Sequence, residues 1–94
     1  MRVRALLSLQ RAFLGEVFPA LRAVTVEWGD KSVRFRAYVD GPVAGVDGDS
    51  LSGVSAEIAA DFGPEVTVDY EILRRDAPAP IHDQGVWVFH RKEQ

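Results

Sequence analysis

The stretch Val24–Asp40, VTVEWGDKSVRFRAYVD, decides the fold of this chain. Apolar side chains occupy every second position there, in two runs: Val24, Val26 and Trp28, then Val33, Phe35, Ala37 and Val39. This spacing is typical of two strands that each bury one face. Gly29-Asp30, between the runs, suits a type II′ turn with glycine at its first central position. We therefore predict an antiparallel hairpin in which Val26 faces Val33 and the apolar side chains all lie on one side.

One helix is predicted before the hairpin and one after it. Residues 3–18 carry a broad apolar face at helical spacing, and Pro19 ends that pattern. A second helix is expected from about Ser50 to Phe62, because apolar side chains recur on one face and Gly63-Pro64 supplies a C-terminal stop. The apolar side of the hairpin needs a cover, so we interpret the first helix as core packing rather than as a membrane-surface or docking helix.

Two further strands complete the pattern. VTVDYEILR, residues 66–74, alternates apolar and polar side chains, whereas GVWVFHR, residues 85–91, has a continuous apolar run that indicates burial on both faces or contact with a partner. Glycines and prolines predict a loop over residues 40–50 and an extended connection over residues 74–84. The order α-β-β-α-β-β packs most simply as an α+β fold, a four-stranded, mostly antiparallel sheet with both helices on one face.

Length and composition are those of one soluble globular domain over residues 1–94. The chain has 94 residues, 47% of them hydrophobic, and no cysteine, which excludes disulfides and thiolate chemistry. A transmembrane helix needs roughly 18 consecutive apolar residues, and Gln10 and Arg11 interrupt the N-terminal apolar run well before that length. We expect a cytoplasmic protein with no membrane association.

Residue patterns for catalysis or for cofactor binding are lacking. His82 and His90 are the two histidines, and neither forms a metal-ligand spacing or stands near a recognised nucleophile motif. The glycines of residues 41–48 lack the Gly-Lys-Ser ending of a phosphate-binding loop, and the aspartates nearby miss the calcium-loop spacing. We therefore predict a protein that is not an enzyme and has no metal site and no cofactor.

A nucleic-acid interface is the alternative function that the sequence leaves open. Arg34, Arg36 and Tyr38 share the outward side of the second strand, an arrangement that can grip phosphates and stack bases. Glu27 falls on the same side of the neighbouring strand, and the pI of about 5.2 is acidic. Nucleic-acid-binding domains usually have a basic surface, which makes this alternative the weaker one.

Segments along the whole chain carry a resemblance to a known group of proteins. They are LQRAFLGEVFPALRAVTVEW, FRAYVDG, EIAADFG, EILRRDAPAPI and GVWVFHRKE. With these segments the chain resembles small, mostly uncharacterised bacterial proteins of about this length, and in size and charge it is similar to immunity proteins of bacterial toxin systems. That resemblance implies a non-enzymatic protein that blocks a toxin by covering its active site.

Charge is distributed in a way that fits a protein partner. Residues 1–46 have seven basic and four acidic side chains, hence +3, whereas residues 47–94 have four basic and ten acidic ones, hence −6. An acidic surface speeds association with a basic partner such as a toxin that acts on nucleic acid. The candidate partner-binding residues are Asp69, Glu71, Asp76, His82, Asp83 and Trp87. A homodimer formed by self-association of the sheet is a related alternative, because an open sheet has edges that need cover.

Overall fold

The structure is a computed structural model that describes residues 1–93. Its elements follow the predicted order α-β-β-α-β-β. They are α1 (Arg2–Phe13), β1 (Leu21–Trp28), β2 (Ser32–Val39), α2 (Gly45–Phe62), β3 (Thr67–Arg74) and β4 (Val86–His90). The α+β class is therefore confirmed, with two helices and one four-stranded sheet.

The sheet is mixed, and its strands are arranged in the order β3-β2-β1-β4. β1 runs antiparallel to both β2 and β4, but β2 and β3 are parallel. The prediction of a mostly antiparallel sheet is thus correct for two of the three pairings. The parallel pair follows from α2, because the helix carries the chain from the end of β2 back to the side of the sheet where β2 began, and β3 starts there.

The hairpin forms with a different register from the predicted one. Val26 pairs with Phe35, not with Val33, and the Gly29 N–H donates to the Ser32 carbonyl at 2.9 Å. Asp30 and Lys31 are therefore the central turn residues, so the predicted turn is wrong and the pairing is displaced by two residues. A displacement by two leaves every side chain on its original face, because side chains alternate with a period of two.

Both helices have limits that differ from the sequence prediction. α1 ends at Phe13 rather than near residue 18, and Gly15 beyond it has a φ of 78°. α2 begins at Gly45, so residues 45–49 are helical although their composition predicts a loop. Asp47 in the first turn interacts favourably with the helix dipole there. Buried packing further along α2, at Leu51 among others, offsets the low helix propensity of its glycines.

The hydrophobic core lies between the helices and the apolar sides of the strands. Side chains from α1 and from α2 belong to the same buried cluster as the apolar residues of the hairpin. Phe35 is at its centre, edge-on to Phe13 with ring centroids 5.7 Å apart and stacked on Tyr70 at 5.2 Å. Val68 and Ile72 of β3 pack against this cluster, so the predicted inward side of β3 is confirmed.

The connection from β3 to β4, residues 75–85, crosses the sheet. These two strands are consecutive in sequence but occupy opposite edges of the sheet, so the chain between them must pass β2 and β1. It passes on the side away from the core, where Asp83 contacts Arg36 and Tyr38 of β2. Below, residues 75–85 are called the crossing segment, and the side of the sheet that it covers is called the outer face.

Candidate functional site

The outer face collects most of the residues that the sequence singles out. Its members are Thr25 and Glu27 of β1, Arg34, Arg36 and Tyr38 of β2, Asp69, Glu71 and Leu73 of β3, and Trp87 and His90 of β4. They share a side because paired residues in neighbouring strands point the same way, as in the pairs Arg34 with Asp69 and Thr25 with Trp87. The two groups proposed from sequence, acidic and basic, are therefore intermingled on one surface.

Asp83 fastens the crossing segment to this surface. Its carboxylate accepts hydrogen bonds from the Tyr38 hydroxyl at 2.5 Å and from the Gly85 N–H at 2.7 Å. Arg36 approaches it at 3.4 Å, and the Asp83 side chain is only 2% exposed. A buried carboxylate with these donors is held in one position, so the residues beside it in the crossing segment are also fixed relative to the sheet.

These contacts alter the pKa values of both partners. Burial by itself would raise the pKa of Asp83, but hydrogen bonds from Tyr38 and Gly85 and the charge of Arg36 outweigh it, and the pKa lies below 3.8. Burial, followed by the hydrogen bond to Asp83, raises the pKa of Tyr38 to about 12. At neutral pH the pair therefore consists of a neutral phenol that donates to an ionised carboxylate.

Arg36 lies at the centre of a group of carboxylates. It contacts Glu27 at 3.0 Å, Asp83 at 3.4 Å and Glu71 at 3.9 Å. The hydrogen bond to Glu27, and then the neighbouring charges, raise the pKa of Arg36 against the opposing effect of burial. Arg34 forms an ion pair with Glu71 as well. Both outward arginines of β2 are thus already bound by carboxylates of the same chain.

The outer face carries a net negative charge. Four carboxylates lie on it or are bound to it, and two guanidinium groups offset half of them: Glu27, Asp69, Glu71 and Asp83 against Arg34 and Arg36. The surface therefore has a formal charge of about −2 at neutral pH. A cationic partner would be attracted to it and a polyanion repelled.

A concavity of about 590 Å³ opens between the crossing segment and the sheet. Its lining residues are Glu27, Arg36, Tyr38, Leu73, Ile81, His82, Asp83, Gln84 and Trp87. Trp87 is 40% exposed and lies 5.0 Å from the His90 ring, centroid to centroid. Three of the candidate partner-binding residues, His82, Asp83 and Trp87, are thus brought together in the wall of one concavity.

The other three candidates are distributed differently. Glu71 adjoins the concavity through its contact with Arg36, and Asp69 lies further along β3 on the same face. Asp76 lies apart from it, at the start of the crossing segment, where it accepts hydrogen bonds from Arg74 and from the Gly41 N–H. The Arg74 hydrogen bond is the largest cause that lowers the pKa of Asp76. Asp76 therefore stabilises the end of β3 through its contact with the loop after β2.

Arg22 is an organising residue that the sequence does not reveal. The residue is 3% exposed at a bulge in β1, and its guanidinium contacts both carboxylate oxygens of Glu93 at 2.7 and 2.8 Å. A third bond, of 2.6 Å, goes to the Arg75 carbonyl at the start of the crossing segment. Hydrogen bonding to Arg22 lowers the pKa of Glu93 to about 2. From sequence alone, Leu21 to Ala23 reads as a connector, which gives no reason to expect a buried charge.

Within residues 1–93, no group of three or more histidine, aspartate or glutamate side chains could hold a metal ion. In the same part of the chain, no helix combines the length and the apolar character needed to cross a membrane. The outer face therefore offers charged and aromatic side chains around a concavity.

Negative charge, a half-exposed indole and a concavity on one sheet face are features of a surface that binds another protein. Residues 2–93 match the family model described as MafI2 immunity protein, so this chain belongs to the MafI2 immunity protein family. The resemblance to toxin-immunity proteins predicted from the sequence is thereby confirmed. No curated protein sequence matches the chain.

Proposed function

We propose that this chain neutralises a bacterial toxin by binding it stoichiometrically through the outer face, without catalysis. The family supports a role in toxin immunity, and with it a role in protein–protein interaction. The single observation that supports the outer face as the binding surface is its net negative charge around a concavity lined by the exposed Trp87. Tryptophan is enriched among the residues that dominate interface energies.

The charge of the outer face suits one class of toxin in particular. A toxin that acts on nucleic acid has a basic cleft for phosphates, and a partner of opposite charge associates with it faster and in a fixed orientation. Glu27 of β1 and Asp69 of β3 are the two cross-strand partners of Arg34, and they extend the acidic surface across three strands. We therefore propose that the outer face covers the basic active-site cleft of such a toxin.

The nucleic-acid alternative has less support. Arg34, Arg36 and Tyr38 share one face, as expected, but each already contacts a carboxylate of the same chain. A phosphate backbone would have to displace these carboxylates and would be repelled by them, whereas nucleic-acid binding gains most of its free energy from unpaired lysine and arginine. Cytoplasmic location and homodimer formation remain predictions from the sequence.

Charge-matched variants test the proposed surface. Asp69→Lys and Gln84→Lys add positive charge to the outer face, and Glu57→Lys and Gln10→Lys make the same two changes at exposed positions on α2 and α1. A candidate toxin is taken from the genes that flank the gene of this chain. Binding to it is measured by calorimetry, and protection by growth of cells that express both proteins. We expect each outer-face variant to weaken binding by at least about tenfold and each helix variant by less than about threefold.

Two outcomes of that experiment would contradict the proposal. One is a wild-type chain that neither binds nor protects against the neighbouring toxin. The other is full activity of Asp69→Lys and Gln84→Lys together with loss of activity in Glu57→Lys, which would move the interface to the helical side. Circular dichroism and the unfolding midpoint of each variant show whether a loss reflects the surface or the fold.

A further inference from the structure

Trp87 and Glu27 both line the concavity in the outer face. Trp87 pairs with Thr25 across β1 and β4, and Glu27 lies two residues further along β1 on the same side. Diagonal neighbours of this kind on one sheet face are roughly 7–8 Å apart, within reach of one long side chain placed between them. The Trp87 side chain is 40% exposed.

Of the two carboxylates that line this concavity, Glu27 is the one that can accept a further hydrogen bond. Asp83 uses one oxygen for Gly85 and Arg36 and the other for Tyr38, and its side chain is 2% exposed. Glu27 gives Oε2 to Arg36, whereas its Oε1 accepts no hydrogen bond from any of residues 1–93, and the side chain is 43% exposed. A hydrogen-bond donor that enters the concavity would therefore bind Glu27 rather than Asp83.

The balance of charge decides which kind of side chain fits. The lining has two carboxylates, Glu27 and Asp83, and one guanidinium, Arg36. An acidic side chain would add a third negative charge where Arg36 is already bound by carboxylates. An apolar side chain would remove water from Glu27 without donating a hydrogen bond to replace it, which is unfavourable. A basic side chain meets the unused oxygen of Glu27 and the face of an indole, which attracts cations.

We infer that the concavity receives one arginine side chain of the toxin, with its guanidinium against the Trp87 ring and paired with Glu27. This inference rests on the proposed function, because it assumes that the outer face is the surface that meets the toxin. Arginine fits better than lysine, since its planar guanidinium stacks on an indole and presents a fork of donors to a carboxylate. Covering its guanidinium in this way would remove one basic group from the toxin's own cleft.

A titration of the isolated chain tests the concavity without any toxin. The probes are N-acetyl-arginine amide, N-acetyl-lysine amide and acetate, and the readout is the indole N–H resonance of each tryptophan by NMR. Trp28 is the internal control, because it packs against the hydrophobic core rather than lining this concavity. We expect the arginine amide to shift the Trp87 resonance in a saturable way, the lysine amide less and acetate not at all, with Trp28 unchanged.

Two variants then separate the concavity from the general charge of the face. Glu27→Gln removes the proposed partner, and Glu71→Gln removes the same charge from another carboxylate beside Arg36 that does not line the concavity. We expect Glu27→Gln to abolish the arginine-induced shift and Glu71→Gln to retain it. A shift of equal size in Glu27→Gln, or a shift with acetate instead of arginine, would overturn the inference.

Toxin binding by the same variants distinguishes this inference from the proposed function. We expect Glu27→Gln and Trp87→Ala each to weaken toxin binding by at least about tenfold, with Trp87→Phe intermediate. One Arg→Ala change in the toxin should cause a similar loss and add little to that of Glu27→Gln, as a double-mutant cycle detects. If the toxin binds Glu27→Gln and Trp87→Ala as tightly as wild type, the inference fails and the proposed function stands. If the wild-type chain binds no toxin, the proposed function fails, and the titration alone then shows whether the concavity binds an arginine side chain.

Discussion

The Tyr38 hydroxyl donates a hydrogen bond of 2.5 Å to Asp83, a residue 45 positions later in the chain. Tyr38 belongs to a central strand of the sheet and Asp83 to the crossing segment, so the bond joins the sheet to the segment that covers it. The Gly85 N–H bonds the same carboxylate two residues further on, immediately before β4. The position of the concavity therefore depends on one buried carboxylate and its donors.

Replacement of Asp83 by asparagine should destabilise the chain. The asparagine side chain has no charge to attract Arg36. It also has one oxygen instead of the two that accept from Tyr38 and Gly85, so a buried donor loses its hydrogen-bond acceptor. We expect a loss of about 1–3 kcal/mol in the free energy of unfolding, measured by urea denaturation. The exposed Asp69→Asn is the matched control and should change it by less than about 0.5 kcal/mol. Equal midpoints for the two variants would contradict this role of Asp83.

Glu93 should make the chain sensitive to acid. Its pKa is about 2 in the folded chain against an ordinary value of 4.5, because Arg22 binds it. A group with a lowered pKa stabilises the fold above its unfolded value, and that contribution is lost as the pH falls toward the folded value. We expect Glu93→Gln to lower the thermal midpoint at pH 7. Between pH 4.5 and about 2, the thermal midpoint of Glu93→Gln should fall less steeply than that of the wild type. Glu65→Gln, at an exposed position, is the control for the loss of one negative charge and should leave the thermal midpoint at pH 7 unchanged.

Tyr38 should lose its proton at a higher pH in the folded chain than in the unfolded chain. Its pKa is about 12 rather than 10, owing to burial and the hydrogen bond to Asp83. A raised tyrosine pKa stabilises the fold below pH 10, and this contribution is lost as the pH rises toward 12. Ultraviolet absorbance should show this alkaline step, and Tyr38→Phe should remove it and cost about 1 kcal/mol at neutral pH. Persistence of the step in Tyr38→Phe would assign it to another group.

A side chain at Gly85 should disturb the turn before β4. A Cβ at this position would lie 2.9 Å from the Val26 carbonyl oxygen and 2.9 Å from Asp83 Oδ1. Both contacts are too close for a carbon atom, so Gly85→Ala should reduce the unfolding free energy by about 1–3 kcal/mol. Gly53→Ala in α2 is the matched control, since its Cβ would meet no atom of the described chain within 4 Å. There we expect a gain of up to about 1 kcal/mol from helix propensity.

Alternation of side chains along the strands was the most informative signal in the sequence. It assigned Val26 and Phe35 to the core and Arg34 and Arg36 to the opposite side, and those assignments hold although the hairpin register is displaced by two residues. The register itself depends on the turn, where a glycine next to an aspartate suggested the wrong pair of central residues. A face is specified by many side chains at once, whereas a register depends on a few.

Spatial relations between distant segments could not be predicted in the same way. The position of β3 beside β2 and the ion pair of Arg22 with Glu93 leave no local pattern, because each depends on how the chain returns to the sheet. His82, Asp83 and Trp87 were predicted as contact residues, but their meeting in one concavity follows from the route of the crossing segment. The early start of α2 was missed because glycines outweighed its other residues in the composition of that stretch.

The crossing segment is attached near its two ends, by Arg75 to β1 and β2 and by Asp83 to β2. None of the residues between these attachments belongs to the hydrophobic cluster. Substitutions there should therefore leave the packing of the core undisturbed. Under the proposed function, residues 77–82 are positions at which toxin recognition can change at small thermodynamic cost.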